Sequence, residues 1–388
     1  MNEKQSTDII VFSEFCDGTV NSTGFYWQQI AEHLIQFSNV VIVSPSINSR
    51  LQASNKVTSV ILKNKNRFWK YVLPVKLHLF IQMLWSLNKL KIKNSRIILG
   101  TNPFLLPLLV PLLKFMGSKH IVLICYDFFP QNIASQTESV FFKYALKILS
   151  NVFKASYRCC DEVIACGRDI QSLLIKLQFN NSENIHYIPN WADLQDQSDI
   201  IPRSFSTSET RFLFFGNLGQ FQGIPKLLIQ VSNVTNQKTQ FIFAGSGKYS
   251  KEIIEAADLD PRIVFLGSVP MEKKDEIFAN ADISIVSLVP NMRGCCVPSK
   301  VYFSLANGHP ILGFVDDESE VGLMCNEFKC GWNLRFDDDY ALDSFINKLT
   351  KKEFSKTCEG ARAIPREILG GALSLQKIRS VLMNNLLR

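Results

Sequence analysis

The sequence predicts an α/β protein of two domains, each built around a parallel β-sheet. Its 388 residues are too many for one average domain and suit two. Strand-like and helix-like segments alternate in both halves, which is the pattern that forms parallel sheets. A polar stretch at 193–210 separates the halves and is interpreted as a linker. We therefore expect one domain over 1–195 and a second over 205–370.

Short apolar runs in the first half indicate strands, and the longer segments between them indicate helices. The strands are expected at 8–13, 40–44, 57–62, 96–100, 120–125, 162–166 and 185–188. The helices are expected at 24–37, 69–91, 103–116, 138–158 and 168–178.

The second half shows the same alternation. Its strands are expected at 211–215, 239–244, 262–266, 282–287, 310–314 and 330–334. Its helices are expected at 223–235, 248–258, 272–279, 298–307, 318–327 and 339–350. A final helical segment, 366–388, ends in basic residues.

The composition favours a folded protein of the cytoplasm. Hydrophobic residues make up 46% of the chain and charged residues 20%, which argues against disorder. The ten cysteines include no CxxC pair, so they do not form a metal or disulfide framework. The N-terminal residues lack a secretory signal, so we expect reduced thiols and a cytoplasmic location.

Two glycine-rich segments of the second half follow predicted strands. They are GNLGQFQG at 216–223 and FAGSG at 243–247, with glycines at Gly216, Gly219, Gly223, Gly245 and Gly247. Glycine lets the backbone come close to a ligand. Neither segment is a GxGxxG motif or a P-loop. Together they predict a ligand site at the carboxyl ends of parallel strands.

A third junction places Pro298, Ser299 and Lys300 at the start of the helix predicted for 298–307. A helix N-terminus offers free N–H groups and partial positive charge, and Lys300 adds a full charge, which suits a diphosphate. The alternative is an ordinary strand–helix unit with a surface lysine.

Two features of the first half are candidates for a second part of the site. Asp127 follows the strand predicted for 120–125 and precedes FFP, so its carboxylate would lie at the carboxyl end of the sheet. It could instead cap the following helix. The loop 14–24 contains Gly18 and Gly24, which would let backbone approach a phosphate or a sugar.

The charge of the chain is unevenly distributed. From His33 to Tyr126 there are thirteen Lys and Arg and no Asp or Glu. Within this stretch, 67–93 mixes lysines with Trp69, Phe80 and Trp85, which suits the surface of an anionic membrane. The alternative is that 67–93 contains a buried helix whose lysines lie along its solvent-exposed edge. No motif of a nucleic-acid-binding fold is present, so no nucleic acid partner is expected.

In these motifs the chain resembles the family 4 glycosyltransferases of the GT-B fold, in particular the branch that builds bacterial capsule, O-antigen and colanic-acid-type polysaccharides. The segments that carry the resemblance run in order along nearly the whole chain. They are the opening strand and glycine loop at 9–34, YDFFP at 126–130, IPNWAD at 188–193, GNLGQFQG at 216–223, FAGSG at 243–247 and PSKVYFSLANGHPI at 298–311.

The resemblance implies two Rossmann-like domains facing across a cleft, with a helix at 371–388 crossing back to the first domain. The first domain would face the membrane and bind the acceptor. The second would bind a nucleotide sugar through Gly216, Asn217, Gly219, Gln222, Gly245, Gly247, Pro298, Ser299 and Lys300.

The chain departs from the family pattern at four positions. Many relatives carry an Arg and a Lys in the first glycine-rich junction, where this chain has Asn217 and Gln222, as is usual in the polysaccharide branch. They also carry a Glu-x7-Glu pair, whose positions here are Cys295 and Phe303. Lys300 is then the main cation left for the diphosphate. The ribose contact of the second Glu would pass to Ser299 or a backbone group, unless the donor sits differently.

We expect no metal and no cofactor. A metal-dependent transferase would hold the ion with a DxD motif, and the match at 337–339 is interpreted as a helix N-cap cluster.

The expected function is retaining, metal-independent transfer of a hexosyl or N-acetylhexosaminyl group from a nucleotide sugar to a polyprenyl-diphosphate-linked saccharide. Asp127 and Lys300 would be catalytic, and the protein would be peripheral on the inner face of the cell membrane. One alternative is a catalytically silent GT-B protein that binds a nucleotide sugar or acts as a scaffold. The other is a sugar-nucleotide epimerase of the same architecture, against which the basic, aromatic segment at 67–93 argues.

Overall fold

The computed structural model describes residues 8–62, 75–134, 139–192, 209–269 and 273–384. The chain divides into two compact units. The first comprises Met1–Pro189, Gly294–Cys296 and Ala372–Arg388, and the second comprises Asn190–Arg293 and Val297–Gly371.

The first unit contains a seven-stranded parallel sheet in the order β3-β2-β1-β4-β5-β6-β7. Its strands are β1 Ile9–Phe12, β2 Val40–Ser44, β3 Val57–Ile61, β4 Arg96–Gly100, β5 His120–Cys125, β6 Glu162–Ala165 and β7 Ile185–Tyr187. Its helices are α1 Ser22–Leu34, α2 Ser49–Gln52, α3 Val75–Ser86, α4 Val110–Phe115, α5 Gln131–Ala134, α6 Val140–Arg158 and α7 Arg168–Lys176.

The second unit contains a six-stranded parallel sheet in the order β10-β9-β8-β11-β12-β13. Its strands are β8 Arg211–Phe215, β9 Gln240–Ala244, β10 Ile263–Gly267, β11 Ile283–Ser287, β12 Ile311–Phe314 and β13 Gly331–Leu334. Its helices are α8 Ile224–Ser232, α9 Ser250–Leu259, α10 Lys274–Ala279, α11 Lys300–Ala306, α12 Glu320–Phe328, α13 Ala341–Lys348, α14 Lys351–Arg362 and α15 Arg366–Leu369. The predicted α/β class with two parallel sheets is confirmed.

Each sheet has a point at which the strand order reverses. In the first unit, β1 pairs with β2 on one side and with β4 on the other. In the second, β8 pairs with β9 on one side and with β11 on the other. Connections leave the sheet in opposite directions at such a point, and ligands of open α/β sheets bind there, beyond the carboxyl ends of the strands.

The central strands are mostly apolar because both faces of a parallel sheet are covered. All four residues of β1 and all six of β5 are buried. In the second unit, Phe212 stacks on Phe241 with ring centroids 5.5 Å apart, and Phe214 on Phe243 at 5.9 Å. These cross-strand pairs fix the register of β8 against β9, and therefore the positions of the two turns that follow them.

The last helix, α16 (Gly371–Met383), packs against the first unit. Arg96 Nε donates to the carbonyl oxygen of Leu382 at 3.1 Å, and His120 Nε2 lies 3.1 Å from that of Val381. This is the placement that the resemblance implied for 371–388.

Several predicted elements differ from those observed. The helix expected at 298–307 begins at Lys300, so Pro298 and Ser299 precede it. Helix α14 (Lys351–Arg362) was not predicted. Most of the predicted linker and the first part of the helix predicted for 69–91 lie outside the described residues.

Candidate functional site

The turns after β8 and β9 lie directly on one another. Gly216 N donates to Ala244 O at 2.8 Å, and Leu218 N donates to Ser246 O at 3.0 Å. A Cβ on Gly245 would stand 1.8 Å from the carbonyl oxygen of Gly216, and Gly245 has φ +149°. Glycine is therefore obligatory at Gly245. The structure brings the two predicted glycine segments together.

Asn217 and Gly247 extend this contact. A Cβ on Gly247 would lie 2.6 Å from the Leu218 carbonyl and 2.9 Å from Asn217 Oδ1. A Cβ on Gly219 would lie 2.8 Å from Asn217 Nδ2. The glycines thus have a packing role between the two turns, and they hold the Asn217 amide among them. The sequence predicts only that these glycines let a ligand approach the backbone.

The turn at 219–223 is fixed to the end of β11. Ser287 Oγ donates to Gln222 O at 2.6 Å, and Val289 N donates to Phe221 O at 2.9 Å. Gly223 has φ +65° and immediately precedes α8. Gln222 Oε1 is buried and has no hydrogen-bond partner among the described residues. The side chain therefore has an unused acceptor at the predicted donor site.

A cavity of about 100 Å³ borders the same turn at the carboxyl ends of β11, β12 and β13. Val289 and Phe336 line it, and Phe336 is also the side chain that a Cβ on Gly223 would meet, at 3.1 Å. There is room for ligand atoms beside the turn.

Lys300 is buried in the second unit with its amine over an aromatic ring. Its Nζ lies 3.4 Å from the centroid of the Phe214 ring, and no described residue accepts a hydrogen bond from it. Its Cε would lie 3.9 Å from a Cβ on Gly216. Burial lowers the pKa of Lys300 well below its usual value, because a desolvated ammonium is costly. The amine of Lys300 therefore lies beside the first glycine turn and has no hydrogen-bond partner among the described residues.

Pro298 and Ser299 form the turn that leads into α11. Val301 N donates to Pro298 O at 3.2 Å and Tyr302 N donates to Ser299 O at 3.1 Å. The Ser299 side chain makes no capping hydrogen bond. With only seven residues in α11, the charge at this junction comes from Lys300 and not from a long helix dipole.

In the first unit, four polar side chains lie close together near the point at which the strand order of the sheet reverses. Glu14 follows β1, Asn102 follows β4 and Asp127 follows β5, so all three lie at the carboxyl ends of neighbouring strands. Asn102 Nδ2 donates to Asp127 Oδ2 at 3.3 Å, and Lys76 of α3 forms an ion pair with Glu14. We call these residues the Glu14–Asp127 cluster.

Asp127 is held in place from both sides. Its backbone N donates to Thr101 Oγ1 at 3.1 Å, and it forms a β-bridge with Cys296. Burial raises the pKa of Asp127, while the Asn102 amide and the charge of Lys76 oppose the rise. The side chain does not cap α5, which begins at Gln131.

Cys295 occupies the position of the first glutamate of the family's Glu-x7-Glu pair, and it is next to the bridge between Asp127 and Cys296. The Cys295 carbonyl accepts a hydrogen bond from Phe128 N at 2.7 Å, and Cys295 is buried in the first unit. Phe303, at the second glutamate position, is buried in the second unit.

Sequence reasoning missed three members of the cluster: Glu14 as a side chain, Lys76 and Asn102. Asn102 and Glu14 could have been found by the rule that selected Asp127, because each of the three lies two residues after a buried strand. Lys76 had no signal beyond its membership of the basic stretch.

Gly18 and Gly24 lie in and beside the loop after β1. Gly18 N donates to Gln28 Oε1 at 2.8 Å. Gly24 is in the first turn of α1, which has Asn21 as its N-cap and begins at Ser22, two residues before the predicted start at 24. A Cβ on Gly24 would lie 2.1 Å from Asp17 O, so the close approach that Gly24 permits is to its own loop.

Among the described residues, no three His, Cys, Asp or Glu side chains are grouped to hold a metal ion. Asp337 pairs with Arg335, and Asp338 Oδ1 accepts a hydrogen bond from Tyr340 N at 2.9 Å. The predicted cluster at 337–339 therefore lies in the turn that leads into α13, but the N-cap residue itself is Tyr340. The expectation of a metal-free reaction stays a prediction.

Within 67–93, the described part begins at residue 75. Trp85 is 72% exposed, and Lys89, Lys91 and Lys93 are exposed. Trp69 lies outside the described residues. In the part of the chain that the structure covers, no helix is both long and apolar enough to cross a bilayer.

Comparison with known proteins gives a consistent picture. Residues 209–324 match the sequence family described as "Glycosyl transferases group 1". The chain is 29% identical over 389 aligned positions to a protein of Pseudomonas aeruginosa named "Probable glycosyltransferase WbjE", covering 95% of this chain and 96% of that protein.

Two solved structures share the fold at low identity. WaaG, described as a glycosyltransferase involved in lipopolysaccharide biosynthesis, is 11% identical with a TM-score of 0.69, over 97% of this chain and 99% of its own. Anabaena Alr3699/HepE in complex with UDP is 12% identical with a TM-score of 0.68, over 97% of this chain and 100% of its own.

Proposed function

We propose that this chain is a glycosyltransferase that transfers a hexosyl or N-acetylhexosaminyl group from a nucleotide sugar to a lipid-linked saccharide in bacterial surface polysaccharide synthesis. The match of residues 209–324 to the group 1 glycosyltransferases, the 29% identity to a probable glycosyltransferase and the fold shared with WaaG support this proposal. The stereochemistry would be retaining and the reaction metal-independent. The UDP named in the HepE complex and the lipopolysaccharide role named for WaaG support this class of donor and product.

The observation that carries the proposal is the unpartnered amine of Lys300. A buried polar group without a hydrogen bond costs free energy, and a buried ammonium costs more. Chains keep such a group where a ligand supplies the missing partner. The amine lies beside Gly216, in the first glycine turn, where the oxygens of a bound diphosphate could accept its hydrogen bonds.

Asn217 and Gln222 would complete the donor site. Their amide N–H groups can donate to phosphate or sugar oxygens, although they carry no charge. As the bond between the anomeric carbon and the diphosphate breaks, the leaving diphosphate takes the electron pair. Lys300 would then stabilise the negative charge that develops on it.

The Glu14–Asp127 cluster would handle the acceptor in the first unit. Carboxylates and an amide at the ends of neighbouring strands suit the hydroxyl groups of a saccharide. The raised pKa of Asp127 makes this carboxylate a better proton acceptor than an exposed Asp. We assign Asp127 to binding and orienting the acceptor hydroxyl, and the Lys76–Glu14 pair to holding the cluster together.

The family match supports a transferase rather than an epimerase of the same architecture. A catalytically silent GT-B protein is the second candidate. Cys295 and Phe303 favour it, because both are buried and neither can accept a hydrogen bond from a ribose as a glutamate would.

The test is turnover of nucleotide sugars by the purified protein, screened across UDP, GDP and dTDP donors with and without a lipid-linked acceptor. We expect nucleoside diphosphate release from one base class, acceleration by acceptor, and a product with the anomeric configuration of the donor by NMR. Asp127→Asn should lower acceptor-dependent turnover while leaving donor binding unchanged. Binding of a nucleoside diphosphate without turnover under any condition would select the silent candidate.

A further inference from the structure

Helix α6 (Val140–Arg158) has two apolar faces. One packs into the first unit, where Leu146, Phe153 and Tyr157 are buried. The other is open to solvent and carries five large side chains that are each about half exposed or more. They are Val140 at 81%, Phe141 at 83%, Tyr144 at 65%, Ile148 at 54% and Val152 at 49%.

The exposed apolar side chains form a stripe along one face of the helix, which also carries Asn151 and, at its last residue, Arg158. At about 100° per residue, the five positions fall within an arc of about 120° on the helix, nearly opposite the buried residues. Single exposed apolar residues are normal, but a large exposed apolar surface on one helix face marks an interaction site.

Basic side chains border one edge of the stripe. Lys143, Lys147 and Lys154 fall together within an arc of about 40° between the exposed and the buried faces, at about 100° per residue. The sequence of α6 contains no Asp or Glu. An apolar face with lysines at its edge is the pattern of a helix that lies in the surface of an anionic bilayer, with its apolar side chains at the acyl boundary and its lysines among the headgroups.

We propose that α6 is the surface by which this protein docks on anionic membranes. This deepens the proposed function by naming where the enzyme would meet a lipid-linked acceptor. It also moves the docking surface away from 67–93. In the described part of that segment, α3 buries Leu79 and Met83 and exposes Val75 and Trp85, which is less apolar surface than the stripe of α6 presents.

The experiment measures co-sedimentation of the full chain with phosphatidylcholine vesicles and with mixed phosphatidylcholine–phosphatidylglycerol vesicles. The wild type should bind the mixed vesicles, with affinity that falls as salt rises. The variant with Phe141→Ser, Ile148→Ser and Val152→Ser should lose affinity by about tenfold or more, because it removes the apolar part of the contact.

Matched controls come from the second unit. Ile229→Ser, Ile254→Ser and Leu259→Ser alter side chains that are 47%, 46% and 87% exposed, and should leave vesicle binding unchanged. Lys143→Gln, Lys147→Gln and Lys154→Gln should weaken binding at low salt. The same change at Lys351, Lys352 and Lys356 should not.

Four results would overturn the proposal, and the first three concern the wild type and the serine variant. Those three are a wild type that binds neither vesicle, a serine variant of α6 that binds as the wild type does, and a dimer in sedimentation that this variant dissociates. The last would assign the stripe to a second copy of the chain. Loss of vesicle binding only in a Lys89→Glu, Lys91→Glu and Lys93→Glu variant would return the docking surface to 67–93 and also overturn it.

Turnover of a water-soluble donor is measured in parallel. The α6 variants should keep it, because the helix contributes no residue to the donor site. Absence of turnover in every variant, wild type included, would count against the proposed function and would leave the vesicle result standing.

Discussion

The amine nitrogen of Lys300 lies 3.4 Å from the ring centroid of Phe214, with no described residue to accept its hydrogen bonds. A cation over an aromatic face gains some electrostatic stabilisation. It does not replace the hydrogen bonds that an ammonium makes in water. The amine of Lys300 therefore lacks hydrogen-bond acceptors, and we expect the phosphate oxygens of a bound donor to supply them.

The first prediction is that nucleoside diphosphate binding takes up protons. Burial holds the pKa of Lys300 well below its usual value, so the amine is more often neutral in the free enzyme than in solution. A bound diphosphate favours the charged form and raises that pKa. Calorimetry in two buffers of different ionisation enthalpy should give a buffer-dependent binding heat near the free enzyme's Lys300 pKa. The dependence should vanish in Lys300→Met. A dependence that persists in this variant would place the titrating group elsewhere.

The second prediction concerns the contact between the two glycine turns. Gly245→Ala should lower the free energy of unfolding by more than about 2 kcal/mol and weaken donor binding, because the added Cβ meets the Gly216 carbonyl at 1.8 Å. Gly267→Ala is the matched control. Gly267 also has positive φ, +65°, but a Cβ there meets nothing within 4 Å, so only the backbone strain of about 1 kcal/mol remains. Chemical denaturation measures both, and equal losses would contradict the packing argument.

These turns show what the sequence could predict and what it could not. Glycines after apolar strands mark the carboxyl ends of a sheet, so Gly216 and Gly245 were placed correctly from local pattern. The Glu14–Asp127 cluster depends on strand order instead. Residues 14, 76, 102 and 127 meet because β4 lies beside β1, and strand order is a property of the whole fold.

Helix α14 was missed although it carried a local signal. Thr350 and Glu353 form a capping box, with Thr350 Oγ1 accepting from Glu353 N at 3.2 Å. The buried side chains Phe354, Thr357, Cys358 and Ala361 follow at helical spacing. Two of the four are polar or small, which hides the apolar period that identifies a helix.

The third prediction concerns His309 and acid stability. Burial lowers the pKa of His309 to about 4 from 6.5, and nearby Arg362 acts in the same direction. The unfolded chain therefore binds more protons than the folded chain between about pH 4 and pH 6.5. Stability should rise with pH across this window, and the full difference is roughly 3 kcal/mol.

His309→Gln isolates this contribution from other titrating groups. It keeps polar atoms near Ser284 Oγ, which lies 3.5 Å from His309 Nδ1. The free energy of unfolding of the wild type and of the variant is compared at each pH. The wild type should lose stability relative to the variant as the pH falls from 6.5 to 4. A flat difference would contradict the prediction, because it would show that the pKa of His309 is the same in the folded and the unfolded chain.

The fourth prediction is that transfer needs no divalent cation. Lys300, with the side-chain amides of Asn217 and Gln222, would stabilise the leaving diphosphate, so turnover should survive EDTA. The control is a second assay in EDTA with added magnesium or manganese. Loss of turnover in EDTA that either ion restores would contradict the prediction.

The measurement that tests the account most directly is nucleoside diphosphate affinity in Lys300→Met, by calorimetry, beside the thermal stability of the same variant. Methionine fills the space over Phe214 without a charge, so the variant should be at least as stable as the wild type. We predict that it binds the diphosphate more weakly by about 1.5–3 kcal/mol, which is roughly ten- to a hundredfold. Unchanged affinity in a folded Lys300→Met protein would contradict the account, because the buried amine would then have no part in donor binding.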